Sequence, residues 1–329
     1  MNICTEKDAR PSILEGKRII VAGYGNQGRP QALNLRDSGY NVVVAARPGG
    51  EGWRRAELDR FRPRPFDEAF AEADVVILLV PDEVQGAVFR GSIANSLKTG
   101  AALCFAHGFS VAFGEIATDA YDLILVAPKG QGERVREAYL NGTGIPCLFA
   151  VERDVSGRAR DTALAIAHGL GALRVGAFET SFREEAVSDL FGEQAVLCGG
   201  VPALVKRAFR VLTSRGFSPE VAYFECLHEL KIIVDLFTRC GFSGMRELIS
   251  KTAAYGSLKY GEALITDETE KRMERLFDFI QDGGFARDWL DEAGGGGESL
   301  DEMARSERRL EIEEVGVRVR RLFPPDDGK

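Results

Sequence analysis

Two pairs of acids in the second half of this 329-residue sequence have the spacing to hold a cation. Asp189 and Glu193 lie in SDLFGEQAVLCGG, and Glu225 and Glu229 in YFECLHELKIIVDL. On a helix, residues four apart project from one face, about a turn apart. Their neighbours are apolar: Leu190, Phe191, Ala195, Val196 and Leu197 around the first pair, Phe224, Leu227, Leu230, Ile232 and Ile233 around the second. Carboxylates in such company lose solvation, and like charges this close repel unless a cation answers them. Hard oxygens point to Mg2+ or Mn2+. A solvated face is the ordinary reading of an acidic pair at this spacing, and the flanking apolar residues weigh against it. In the first half, His107 in CFAHGF and Lys129 in LVAPKG each close an apolar run. Ligands bind at strand ends in open α/β sheets, so both are candidate site residues. His168 reads as structural, and His228 as a packing residue or one supporting the site.

The elements that must position these groups follow from periodicity. Residues 18–22, 41–46, 75–80, 101–106, 123–127 and 147–151 are short Val-, Ile- and Leu-rich runs. Such near-continuous apolar strands suit a parallel sheet covered on both faces, with residues 31–38 and 67–73 as crossover helices. Residues 172–175 offer a further strand. The expected fold is therefore α/β, an N-terminal doubly wound sheet over residues 1–181. From 182 to 329 the texture is helical: 183–197, 201–214, 219–240, 243–254, 267–282 and 300–322. This predicts an all-helical second domain, with a loop at 294–297 and a fraying PPDDGK tail.

The first strand runs into Gly23-Tyr24-Gly25-Asn26-Gln27-Gly28, followed by a helix. That order suits a dinucleotide: a tight turn at Gly23, backbone approach at Gly25, close helix packing at Gly28, and free N–H groups for the pyrophosphate. The second strand ends in Arg47 rather than in an acid, which favours the 2′-phosphate of NADPH; Glu51 in the next loop would repel it, so NADH stays open.

Composition excludes other classes. Lys and Arg total 42 against 50 Asp and Glu, a net charge of −8, which suits no nucleic-acid-coating surface. No apolar run approaches the ~20 residues of a membrane span. MNICTEKDARPS carries no signal-peptide core. Six Cys without a C-x-x-C pair and only three His argue for reduced thiols, a cytoplasmic setting and no His-rich metal site.

GYGNQG, ALNLRDSG, LLVPDEVQ, FAHGF, APKG, DLFGEQAVLCGG and AYFECLHELKIIVDL together resemble ketol-acid reductoisomerase, in order from about Gly16 to Leu322. The resemblance is to the short class of that family and implies a Rossmann-type domain followed by a knotted helical one. It implies alkyl migration in a 2-hydroxy-2-alkyl-3-oxo acid, then reduction of the new 2-ketone, within branched-chain amino-acid synthesis. By the same resemblance, Asp189 bridges two Mg2+ ions, with Glu193, Glu225 and Glu229 completing the set directly or through water. Glu225 can also shuttle a proton, and Ser250 contacts the substrate carboxylate. His107 and Lys129 stand near metals and nicotinamide, and Tyr24 to Gln27, Arg47, Asp82, Gln85 and Gly132 hold the cofactor. Glu225, Glu229 and Ser250 would come from a second copy, in a homodimer or higher assembly with shared sites. The chain departs from the family pattern at Asn26, Arg29, Pro30, Gln31, Gln131, Glu133, Lys251 and Ala254. Those departures motivate an alternative: a paralogue reducing a different ketone or an imine without rearrangement.

Overall fold

The computed structural model describes residues 3–323, so the PPDDGK tail lies outside the described residues. The chain divides into two compact units, Met1–Ser188 and Asp189–Lys329.

The first unit is built on eight strands: β1 (Ile3–Cys4), β2 (Arg18–Ala22), β3 (Asn41–Ala45), β4 (Val75–Leu78), β5 (Ala102–Phe105), β6 (Asp122–Pro128), β7 (Cys147–Arg153) and β8 (Ala177–Glu179). Their order across the sheet is β1-β8-β7-β6-β5-β4-β2-β3. β3, β2, β4, β5 and β6 pair in parallel. Side chains alternate along each strand and feed two cores. Ile19, Val21, Val75 and Ile77 pack on one side with Leu35, Leu164 and Ile166, while Ile20, Ala22, Val76 and Leu78 pack on the other with Phe70, Phe105 and Phe182. The helices over these faces are α1 (Gly28–Asp37), α2 (Glu51–Leu58), the short α3 (Phe66–Ala69), α4 (Asp82–Val88), the short α5 (Phe109–Ala112), α6 (Gly132–Leu140) and α7 (Ala159–Gly169). A further helix, α8 (Phe182–Gly192), begins with Phe182 buried edge-on against Phe105, ring centroids 5.8 Å apart. The unit boundary falls inside α8.

Two strand expectations need correction. β7 runs antiparallel to β6, with Pro128 opposite Cys147 and the Lys129 amide donating to the Pro146 carbonyl at 2.9 Å. The segment carrying α6 thus leaves and re-enters the sheet at one end, and the strand it returns to must reverse. Residues 172–175 form a 3-10 turn at Ala172–Arg174 rather than a strand. Gly171 and Gly176 on either side have positive φ, and the pairing residues are Ala177–Glu179.

The second unit continues α8 with a π-turn (Glu193–Leu197), then α9 (Gly200–Ser214), α10 (Pro219–Tyr223), a second π-turn (Phe224–His228) and α11 (Leu230–Leu248). It ends with α12 (Lys251–Leu264), α13 (Asp267–Gln281), α14 (Gly284–Gly294), α15 (Glu298–Glu307) and α16 (Glu311–Arg320). Its buried cluster is small: Val205, Phe209, Ala222, Tyr223, Ile312, Val315 and Val319, from α9, α10 and α16. The helix expected over 243–254 is divided at Ser250, whose side chain caps α12 by accepting from the Ala253 amide. The one expected over 300–322 breaks at 308–310, and α14 is an additional helix. Among the described residues, no helix is long and apolar enough to cross a membrane.

Candidate active site

The glycine loop stands where β2 meets α1. Gly23 has φ 101, and a Cβ there would lie 2.6 Å from the Leu79 carbonyl oxygen. A Cβ on Gly28 would meet the Gly23 carbonyl at 2.1 Å. Any side chain at either position would force β2, β4 and α1 apart. Gly25 faces open space, as close approach of a ligand requires. A cleft of about 550 Å3 opens beside the loop, lined by Gly23, Tyr24, Arg47, Glu51, Arg55 and Val84 among others. Glu51 accepts a hydrogen bond from Arg55 one turn on, so its charge is answered within α2. Among the described residues Arg47 forms no ion pair. On the other side of the loop a groove is lined by Asn26, Gln27, Arg29 and Gly132.

At the ends of β4, β5 and β6 the polar residues form two linked sets. Ser110 Oγ donates to Gln85 Oε1 at 2.8 Å, and Gln85 Nε2 donates to Asp82 Oδ1 at 3.0 Å. Asp82 Oδ2 lies 3.1 Å from His107 Nδ1. A carboxylate can only accept there, so the contact places a proton on Nδ1 and fixes the ring. The next residue, Gly108, donates its amide to Glu185 Oε2 at 2.7 Å, and Lys129 Nζ donates to Glu185 Oε1 at 2.7 Å. Glu185 is 1% exposed, and a charge so buried needs such partners. The anchoring of Phe182 sets the start of α8, and with it the depth at which Glu185 sits.

Glu185 is the candidate site residue that the sequence reading missed. It follows Glu184 and looks like part of a solvated acidic turn. The signal that could have found it is the series Glu185, Asp189, Glu193, three acids at intervals of four. Helical spacing sets Asp189 on the α8 face that carries Glu185. Glu193 opens the first π-turn, Glu225 is the second residue of the second, and Glu229 directly follows it. π-turns recur at functional sites because the extra residue re-aims side chains. Glu225 and Glu229 are exposed in the single chain, which differs from the expectation that apolar neighbours would bury them; those neighbours are themselves half covered or, at Ile232, exposed. Among the described residues, neither acid forms an ion pair. The second unit alone brings no three His, Cys, Asp or Glu ligand atoms within 4.8 Å of one another among the described residues. Ser250 is exposed at the start of α12. The structure therefore brings Asp82, Gln85, His107 and Lys129 together with Glu185 and leaves Glu225, Glu229 and Ser250 on open surface. The donor set at 189, 193, 225 and 229 is all carboxylate oxygen, the chemistry that suits a hard divalent cation.

Two family descriptions match the chain: acetohydroxy acid isomeroreductase, NADPH-binding domain, over residues 13–176, and ketol-acid reductoisomerase, C-terminal domain, over residues 182–325. Among solved structures, an NADH-preferring ketol-acid reductoisomerase from an uncultured archaean is 42% identical, with 98% of this chain and 99% of that one covered at a TM-score of 0.94. A semialdehyde dehydrogenase NAD-binding protein from Cupriavidus necator, in complex with calcium and NAD, is 18% identical, with 79% and 99% covered and a TM-score of 0.56. The second likeness concerns the fold alone.

Proposed function

Because the chain belongs to the ketol-acid reductoisomerase family, an NAD(P)H-dependent group of oxidoreductase/isomerases of branched-chain amino-acid synthesis, we propose that it rearranges and reduces a 2-hydroxy-2-alkyl-3-oxo acid of the 2-acetolactate type. The product is a 2,3-dihydroxy acid. The observation that carries the reading is the buried Glu185, holding Lys129 and the Gly108 amide beside His107 in the unit that bears the glycine loop.

In the migration, the C2 hydroxyl loses its proton and the alkyl group moves with its bonding pair from C2 to C3. The C3 carbonyl oxygen takes up a proton and C2 becomes a ketone. A nicotinamide held beside the glycine loop would supply hydride to C2, whose oxygen would take a proton, so that one NADPH and one proton would be consumed. Lys129 is held by Glu185 as a fixed positive donor to oxygen that gains charge. His107, fixed by Asp82, orients the same region, and Glu225 of a second copy takes the C2 hydroxyl proton. Asp189 and Glu193, with the second copy's Glu225 and Glu229, would hold two Mg2+ ions, whose Lewis acidity would polarise the C3 carbonyl and lower the hydroxyl pKa. Ser250, also from the second copy, receives the substrate carboxylate. The exposed, unpaired Glu225 and Glu229 and the open faces of α11 and α12 support a homodimer with shared sites.

NADPH is the preferred donor on this reading, with NADH also accepted. Glu51 is engaged by Arg55, and Arg47 is left to meet a 2′-phosphate. The test is consumption of NADPH with racemic 2-acetolactate and Mg2+, against EDTA, NADH and 3-hydroxy-3-methyl-2-oxobutanoate. Mg2+-dependent turnover of acetolactate is the expected result. Turnover of the rearranged acid alone would overturn the migration and leave a reductase of another ketone.

A further inference from the structure

Four residues, Gly25 to Gly28, turn the backbone toward the pyrophosphate position, and a carboxylate from another element holds both their ends. Asp59 caps the C-terminus of α2. Its Oδ2 accepts from Tyr24 Oη at 2.9 Å and from Arg29 Nε at 2.6 Å, and its Oδ1 accepts from Arg29 Nη2 at 3.0 Å. Tyr24 immediately precedes the four residues and Arg29 immediately follows them. The Asp59 backbone carbonyl also accepts from Arg36 Nη1 at 2.7 Å, in the last turn of α1. Arg36 lies 5.0 Å over the Phe61 ring, and Tyr24 packs edge-on against the same ring at 5.7 Å. The middle of the loop is held from the other side. Gln27 Nε2 donates to the Gly130 carbonyl at 3.0 Å, and a Cβ on Gly132 would fall 1.6 Å from the Asn26 carbonyl oxygen. The loop is thus clamped at its ends by α2 and at its centre by the segment that follows Lys129.

We propose that Asp59 is a positioning residue of the dinucleotide site: it locks Tyr24 and Arg29 so that the amides between them are ready for the pyrophosphate, and it keeps the Arg29 guanidinium on the outer side of the loop. The proposal rests on the dinucleotide reading of the glycine loop. A bidentate Arg–carboxylate contact fixes geometry as well as charge, which suits this task. A loop already set before binding spends less of the ligand's contact energy on ordering.

The test is titration of NADPH, followed by nicotinamide fluorescence, together with steady-state kinetics on the full chain. Asp59→Asn keeps the shape and removes the charge. It should raise the dissociation constant and the KM for the dinucleotide on the order of tenfold, with a smaller fall in kcat at saturating dinucleotide. The KM for the keto acid should stay unchanged, and Asp59→Glu should recover part of the loss. Arg29→Met should weaken binding by a similar factor, and adding Asp59→Asn to it should cost little more, because both break one contact. Wild-type affinity in a folded Asp59→Asn variant would overturn the proposal, as would strictly additive losses in the double variant. Failure of the wild-type chain to bind dinucleotide would instead overturn the reading of the loop itself.

Discussion

In Met1–Ser188 the strands β2, β4 and β5 are buried on both faces, whereas in Asp189–Lys329 the whole of α12 buries no residue. The first unit buries most of its apolar side chains, with isolated exceptions such as Leu58 and Leu140, and its polar groups at the strand ends have partners within the unit. The second unit presents Leu197, Phe242, Leu258 and Leu264 at 63% exposure or more, alongside Glu225 and Glu229, which form no ion pair among the described residues. Such exposed apolar residues are what the proposed homodimer would cover. The difference bears on catalysis: the first unit holds the glycine loop, and the second carries the four candidate metal-binding carboxylates.

The largest effects should separate the two units cleanly. Phe149 is fully buried, and Phe149→Ala should cost about 3–5 kcal/mol in denaturant unfolding. Leu264→Ser, at a position 73% exposed, should leave the unfolding of the first unit unchanged and lower the mass seen by sedimentation. Unaltered mass would break the view that the open face is an interface. Next in size is Glu185→Gln, which removes the buried charge facing Lys129. Stability should fall by about 1–3 kcal/mol, and turnover should fall more steeply than cofactor affinity. Equal loss in both would make Glu185 a general prop rather than part of the site.

Arg47→Asp, with Glu51 retained, should move the ratio of NADPH to NADH use by roughly tenfold toward NADH. A constant ratio would mean that Arg47 does not read the phosphate. The mildest probe is thiol labelling. Burial pushes Cys147 up to about 12 and Cys104 higher still, so both should resist alkylation in the native protein. Cys198 and Cys240 are exposed in the single chain. Their protection in the assembled protein, relieved on dissociation, would sharpen the contrast between the units; rapid labelling of both throughout would weaken it.

Much of the first unit was legible because its strands are continuous apolar runs and the glycine loop sits between a strand and a helix. Strand direction was not: nothing in the composition of Cys147–Arg153 reveals that α6 returns the chain to the same end of the sheet. The π-turns at 193–197 and 224–228 escaped for a related reason, since one extra residue per turn leaves no trace in so short a span. The break at Ser250 was readable as an N-cap serine, in a stretch whose apolar periodicity ran straight across it. Glu185 and Asp59 were harder. Each lies in a charged stretch, REEAVSD and ELDRFR, where only the packing of Phe182 and the approach of Tyr24 and Arg29 distinguish a site carboxylate from a solvated one.

The central claim is that Glu225 serves the site of another copy. Asp189→Asn and Glu225→Gln, each inactive and folded when alone, should be co-expressed with different tags and the mixed dimer isolated. With sites shared between copies, one of its two sites carries both native residues, and activity should return to about half that of the wild type. A mixed dimer as inactive as its parents would mean that each chain assembles its site alone, and would contradict the account.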